Sequence, residues 1–97
     1  MSPRVSVVIP TFLRPEGARA AVKSVFAQTG VALSEIEVVL VDNDPSGSAA
    51  AVGAELAAAA PLAFTMVHEP RAGVSHARNT AVAVARAPLI AFLDDDE

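Results

Sequence analysis

The residues best equipped for chemistry in this 97-residue chain are carboxylates that follow apolar runs. Asp94-Asp95-Asp96-Glu97 comes directly after Leu89-Ile-Ala-Phe-Leu93, with no spacer. Neighbouring carboxylates repel by roughly 3 kcal/mol per pair at ~5 Å and an effective dielectric near 20. Solvation as an acidic tail relieves that repulsion, and so do raised pKa values or a bound cation. Hard cations take oxygen ligands, and magnesium uses one or two carboxylates together with phosphate oxygens. Asp94 and Asp96 are therefore candidate ligands for Mg²⁺ or Mn²⁺ held against a diphosphate, where the metal would stabilise charge building on the leaving group. A solvated acidic tail is the other reading of the same four residues.

Three more polar groups follow apolar segments. Pro10-Thr11 ends Val5-Ser-Val-Val-Ile-Pro10, and Asp42-Asn43-Asp44 ends Ile36-Glu-Val-Val-Leu-Val-Asp42. Asp42 is placed to accept hydrogen bonds from a ribose, as an acidic residue after a second strand does in nucleotide-binding sheets. Asp-Asn-Asp-Pro is equally good turn chemistry. The third group is Gly73-Val-Ser-His-Ala-Arg-Asn79. Arg71 and Arg78 are candidates for phosphate or base, against the alternative of solvated surface arginines; Arg78 is favoured because it lies in a helix start. His68 and His76 lack ligand-like spacing and read as structural or exposed. No Gly-x-Gly-x-x-Gly follows the first strand, where Gly17 stands alone, and no Walker loop is present. Dinucleotide and ATP sites of the usual kinds are disfavoured, and no Ser-His-Asp set can be assembled.

The elements that must position these groups alternate. Val5–Pro10 is β-branched and apolar, hence a strand. Pro15 suits a first helical turn, Glu16 its positive end, and Ala18, Val22, Val25 and Phe26 recur at helical spacing over residues 15–29. Ile36–Asp42 is the second strand. A second helix runs to about Ala60, capped by Ser46 or Ser48, with Val52 and Leu56 inward and Gly53 a slight weakness. Ala63–His68 is the third strand. A third helix, capped by Ser75, carries Ala77, Ala81 and Ala85 on one face and Arg86 in its last turn. Leu89–Leu93 reads as a strand buried on both faces. Such βαβαβαβ alternation means a Rossmann-like α/β three-layer sandwich, with a parallel sheet and right-handed crossovers. The expected strand order is 3-2-1-4, which gathers the polar groups at the carboxyl rim, where such sheets bind ligands.

Bulk properties fit a small globular unit. Hydrophobic residues make up 53% and charged residues 19%, which is not a disordered composition. A net charge of -4 argues against a nucleic-acid partner. With no cysteine, disulfides and thiolate metal sites are excluded. No apolar run reaches the ~18 residues of a membrane span, and the N-terminus lacks a signal-peptide pattern. The expected location is cytoplasmic, with peripheral membrane association as the variant.

Five segments together resemble the N-terminal, nucleotide-sugar-binding half of family 2 glycosyltransferases, which adopt the GT-A fold. They are Val5-Ser-Val-Val-Ile-Pro-Thr-Phe12, Ser24-Val-Phe-Ala-Gln-Thr29, Glu37-Val-Val-Leu-Val-Asp-Asn43, Gly73-Val-Ser-His-Ala-Arg-Asn79 and Ile90-Ala-Phe-Leu-Asp-Asp-Asp96. The resemblance implies that Thr11 and Asp42 contact the nucleoside and that Arg78 shapes the nucleotide pocket. It implies that Asp94-Asp95-Asp96 is the Asp-x-Asp motif for ribose and metal-diphosphate, with Asp96 as metal ligand. The implied reaction transfers a sugar from a UDP- or GDP-sugar to an acceptor hydroxyl, with Mn²⁺ or Mg²⁺ and usually with inversion. Leu13 departs from the family, which often has asparagine there. Because the sequence ends at the metal motif, residues 1–97 are expected to be the donor half alone, inactive by itself, without acceptor site or base, and prone to self-association through an open sheet edge. Two alternatives stand beside this expectation: a non-catalytic nucleotide- or metal-binding module, and a Rossmann-type dinucleotide-binding domain that the missing glycine fingerprint disfavours.

Overall fold

A computed structural model describes residues 3–28 and 32–93 of the chain. Its elements are β1 (Val5–Thr11), α1 (Pro15–Phe26), a 3-10 turn (Leu33–Glu35), β2 (Ile36–Asp42), α2 (Ala50–Ala59), β3 (Ala63–His68), α3 (Val74–Val84) and β4 (Leu89–Phe92). The four strands form one parallel sheet in the order β3-β2-β1-β4, as the alternation predicts.

Side chains alternate across the sheet because a strand has a period of two. On one face Ile9, Ile36, Val38 and Leu40 pack with Ala18, Val22 and Val25 of α1 and Val52 and Leu56 of α2. On the other, Val8, Val39 and Val41 pack with Ala77 and Ala81 of α3. β2 is central and buried at all seven positions, which is why it reads as an almost unbroken apolar run. Each fully buried Val, Leu or Ile contributes about 1.5–3 kcal/mol. The small residues of α3 let it sit close to β1 and β2, and the cleft described below opens beside its first turn.

Three details differ from the sequence reading. β4 is not buried on both faces. Leu89 is 62% and Phe92 46% exposed, because β4 is an edge strand; among the described residues, Ile90 alone of its side chains packs against the Ala77–Ala81 cluster of α3. The start of α2 is not capped by Ser46 or Ser48, nor that of α3 by Ser75; Ala49 and Gly73 occupy the cap positions. Aspartates from the end of β2 serve α2 instead. Arg86 lies beyond α3, whose last residue is Val84, and is drawn to Glu37 in β2.

Glu37 is the one polar side chain within the run of β2, and it is fully buried. It accepts from the Ser6 hydroxyl at 2.6 Å, the Arg86 N–H at 2.9 Å and Arg86 Nε at 2.8 Å. Burial pushes its pKa up, but these hydrogen bonds and the Arg86 charge outweigh it and hold the carboxyl below its usual value. The network fastens the α3–β4 connection to the amino end of the sheet, opposite its carboxyl rim.

Candidate functional site

Parallel topology delivers the ends of β1, β2 and β3 to one rim. Thr11 is in register with Asp42, and Asp42 with His68. The ladder runs one step further, with Asn43 N–H donating to the Thr11 carbonyl at 2.8 Å and Glu69 N–H to the Asp42 carbonyl at 2.8 Å. Beside this rim lies a cleft of about 190 Å³, lined by Pro10, Thr11, Phe12, Arg14, Asn43, Val74 and Ala77. β1 and its following loop form one wall. The first turn of α3 forms the other, and Asn43 lies between them.

Asp42 faces into the protein. Its carboxylate is fully buried and accepts from Asp44 N–H at 3.1 Å and Ala49 N–H at 2.9 Å. Both oxygens thus fix the β2–α2 connection and offer no surface to a ribose in this arrangement. Asp44 winds the same loop, accepting from Ser46 N–H and hydroxyl and from Ser48 N–H. These serine contacts hold its carboxyl down at about 2. Gly47, with φ +72, supplies the left-handed residue that the turn requires. His68 Nε2 closes the loop at 2.8 Å from the Asp44 carbonyl, a structural role as expected.

The β3–α3 loop is held from two sides. Glu69 is buried, and its carboxylate accepts from Arg71 N–H at 2.9 Å, Arg71 Nε at 3.0 Å, an Arg71 terminal nitrogen at 2.8 Å and the Thr80 hydroxyl. The Arg71 guanidinium and Thr80 hydroxyl hold the Glu69 carboxyl far below the usual range. Across the loop, Asn43 Nδ2 donates to the Glu69 carbonyl at 2.9 Å and the Arg71 carbonyl at 3.0 Å, while its Oδ1 accepts from Gly73 N–H at 3.0 Å. Gly73 sits at φ +130, a conformation open to glycine and strained for other residues.

The structure therefore brings Pro10 and Thr11 to the cleft and sets Asp42 behind it. The Arg71 guanidinium is engaged by Glu69 at the loop. Arg78 is exposed and stacks over the Phe92 ring at 5.0 Å, a cation–π contact that joins α3 to β4. Asp94, Asp95 and Asp96 lie outside the described residues. They follow Leu93, whose N–H donates to the Val8 carbonyl of β1 at 2.9 Å. Glu69, Thr80 and the clamping role of Asn43 escaped the sequence reading. The only signal was indirect: a glutamate ahead of Pro-Arg, and an asparagine after a strand.

Among the described residues no group of three His, Asp or Glu side chains is placed to hold a metal ion. The described carboxylates of this rim are committed to backbone and side-chain donors. The oxygen-rich run Asp94–Glu97 has the donor chemistry a hard cation takes.

The family model for glycosyl transferase family 2 matches residues 6–97. The chain belongs to glycosyltransferase family 2. It is 33% identical over 97 residues to the uncharacterized glycosyltransferase EpsJ of Bacillus subtilis, covering 100% of this chain and 27% of that protein. It is 32% identical over 93 residues to the succinoglycan biosynthesis protein ExoM of Rhizobium meliloti, covering 96% and 30%. A mannosyltransferase of Pyrobaculum calidifontis, solved in complex with GDP-Man and Mn²⁺, superposes with a TM-score of 0.86 at 30% identity, covering 99% of this chain and 28% of that one. The family 2 chain thus spans less than a third of the length of the relatives it matches and has the fold of a GT-A glycosyltransferase N-terminal region. Family membership removes the dinucleotide-binding alternative. None of the described helices is long and apolar enough to cross a membrane.

Proposed function

We propose that residues 1–97 form the donor-binding part of a glycosyltransferase that takes a nucleoside-diphosphate sugar, with a divalent cation, and passes the sugar to an acceptor hydroxyl with inversion. The observation that carries this reading is the cleft at the carboxyl rim, bounded by Pro10, Thr11, Asn43 and the first turn of α3. Its lining combines apolar Pro10, Phe12, Val74 and Ala77 with polar Thr11, Arg14 and Asn43, the usual make-up of a small-molecule site. The Pyrobaculum protein's complex with GDP-Man and Mn²⁺ supports a nucleotide-sugar and a metal for this chain.

In this reading Thr11 lies on the nucleoside's side of the cleft, and Asn43, held after β2 by the Asp42–Asp44 loop, shapes the cleft through the loop it binds. Arg78, on the helix whose first turn walls the cleft, helps shape the nucleotide pocket from outside its lining, and Arg71, drawn to Glu69, shapes the loop. Asp94 and Asp96 would hold Mn²⁺ or Mg²⁺, with Asp95 toward the ribose. When bound, that cation supplies positive charge against the leaving diphosphate. The acceptor site and the general base come from residues beyond these 97, and the 97 residues alone are inactive. Self-association through the exposed face of β4 belongs to the same proposal.

Isothermal titration of the protein with UDP and GDP, each with Mn²⁺, tests it. One nucleotide should bind with metal-dependent affinity, and Asp96→Ala should weaken it at least tenfold. Equal binding by the variant would remove the metal assignment; no binding of either nucleotide would remove the function.

A further inference from the structure

We propose that Asn43 is a positioning residue for the donor nucleotide: its carboxamide sets the width of the cleft by fixing the Glu69–Gly73 loop and, through it, the first turn of α3. The inference rests on the nucleotide-binding reading of the cleft and adds to it the residue that shapes the pocket.

Asn43 is the junction of three elements. Its backbone N–H extends the β1–β2 ladder to Thr11, and its side chain spends both donors and its acceptor on the loop after β3. The side chain is buried, being 6% exposed as a residue, yet Asn43 also lines the cleft. Val74 and Ala77, on the facing wall, belong to the helix that begins one residue after Gly73. Moving Gly73 therefore moves that wall. Glu69, with Arg71 and Thr80, holds the same loop from its far side, so Asn43 is the tie between the loop and the β1 wall.

Only a carboxamide fits this pattern, because the loop presents two carbonyls and one N–H. An aspartate at 43 could still accept from Gly73 N–H. It would lose both donors and set a negative charge against the carbonyl oxygens of Glu69 and Arg71. Protonation of that carboxyl would return one donor.

The test compares wild type and Asn43→Asp in the full native polypeptide, titrated with UDP or GDP and Mn²⁺ from pH 8 to pH 5.5, alongside amide exchange of Gly73. Wild type should protect Gly73 N–H. Asn43→Asp should exchange it faster and bind nucleotide at least tenfold more weakly at pH 8, with the gap to wild type closing as the pH falls. A folded Asn43→Asp that binds like wild type would overturn the inference. If the variant does not fold, the wild-type amide decides: Gly73 exchanging at the rate of an open loop overturns the clamp, whereas protection that rises when nucleotide binds supports it. Failure of the wild type to bind either nucleotide with a protected Gly73 would refute the function and leave the clamp without a ligand to position.

Discussion

Leu13 sits at φ +56, in the left-handed region, in the loop that leads from the β1 wall of the cleft into α1. A branched side chain pays about 1–2 kcal/mol there, whereas asparagine tolerates the conformation. The backbone shape thus favours asparagine over leucine at this position. Leu13→Asn should raise stability by about 1 kcal/mol, read as a higher thermal midpoint; a lower midpoint would mean that the exposed leucine makes a contact worth more than the strain. The chemistry-bearing residues were only half legible from sequence at this scale. Residue type and strand-end position put Thr11 and Asp42 at one rim. What alternation cannot convey is the direction of a side chain after a strand ends. Asp42 turns inward to two backbone N–H groups, and Asn43 becomes the group at the cleft.

At the scale of elements, α2 and β3 meet closely at Gly53. A β-carbon built there would lie 1.8 Å from Met66 Sδ, so the glycine that looks like a mild helix defect is a packing requirement. Gly53→Ala gains about 1 kcal/mol in helix propensity and loses about 1–3 kcal/mol to overpacking. A net loss of about 1 kcal/mol should appear in urea denaturation, and Met66→Ala in the same chain should make the two changes clearly non-additive. Strands β2 and β3 fell where β-branched runs put them. The start signals of α2 and α3 misled, because Ser46, Ser48 and Ser75 are good caps in isolation while Asp42 reaches Ala49 from seven residues away. β4 misled for a different reason: an apolar run predicts burial, but burial needs apolar cover, and on this edge strand Leu89 stays largely exposed while Phe92 is covered only in part, with the Arg78 guanidinium over its ring.

For the whole molecule, three buried carboxylates at opposite ends of the sheet lock its connections. Glu37, Asp44 and Glu69 all have folded-state pKa values below their ordinary ones. A depressed carboxylate pKa adds stability that is complete above the unfolded value and lost as pH falls toward the folded one. Urea midpoints should therefore stay level from pH 7 to about 5 and decline steadily below the ordinary values of 4.5 and 3.8. A midpoint that held steady down to pH 3 would contradict the hydrogen bonds and ion pairs assigned to these carboxylates. If the proposed donor site is right, nucleotide binds at the carboxyl rim of the sheet, between β1 and the first turn of α3. A crystal structure of the protein with GDP or UDP and Mn²⁺ tests it most directly. Nucleoside density is expected against Pro10, Thr11 and Asn43, with the diphosphate extending toward the acidic run after β4. Nucleotide found at the amino rim beside Ser6, Glu37 and Arg86 would contradict it.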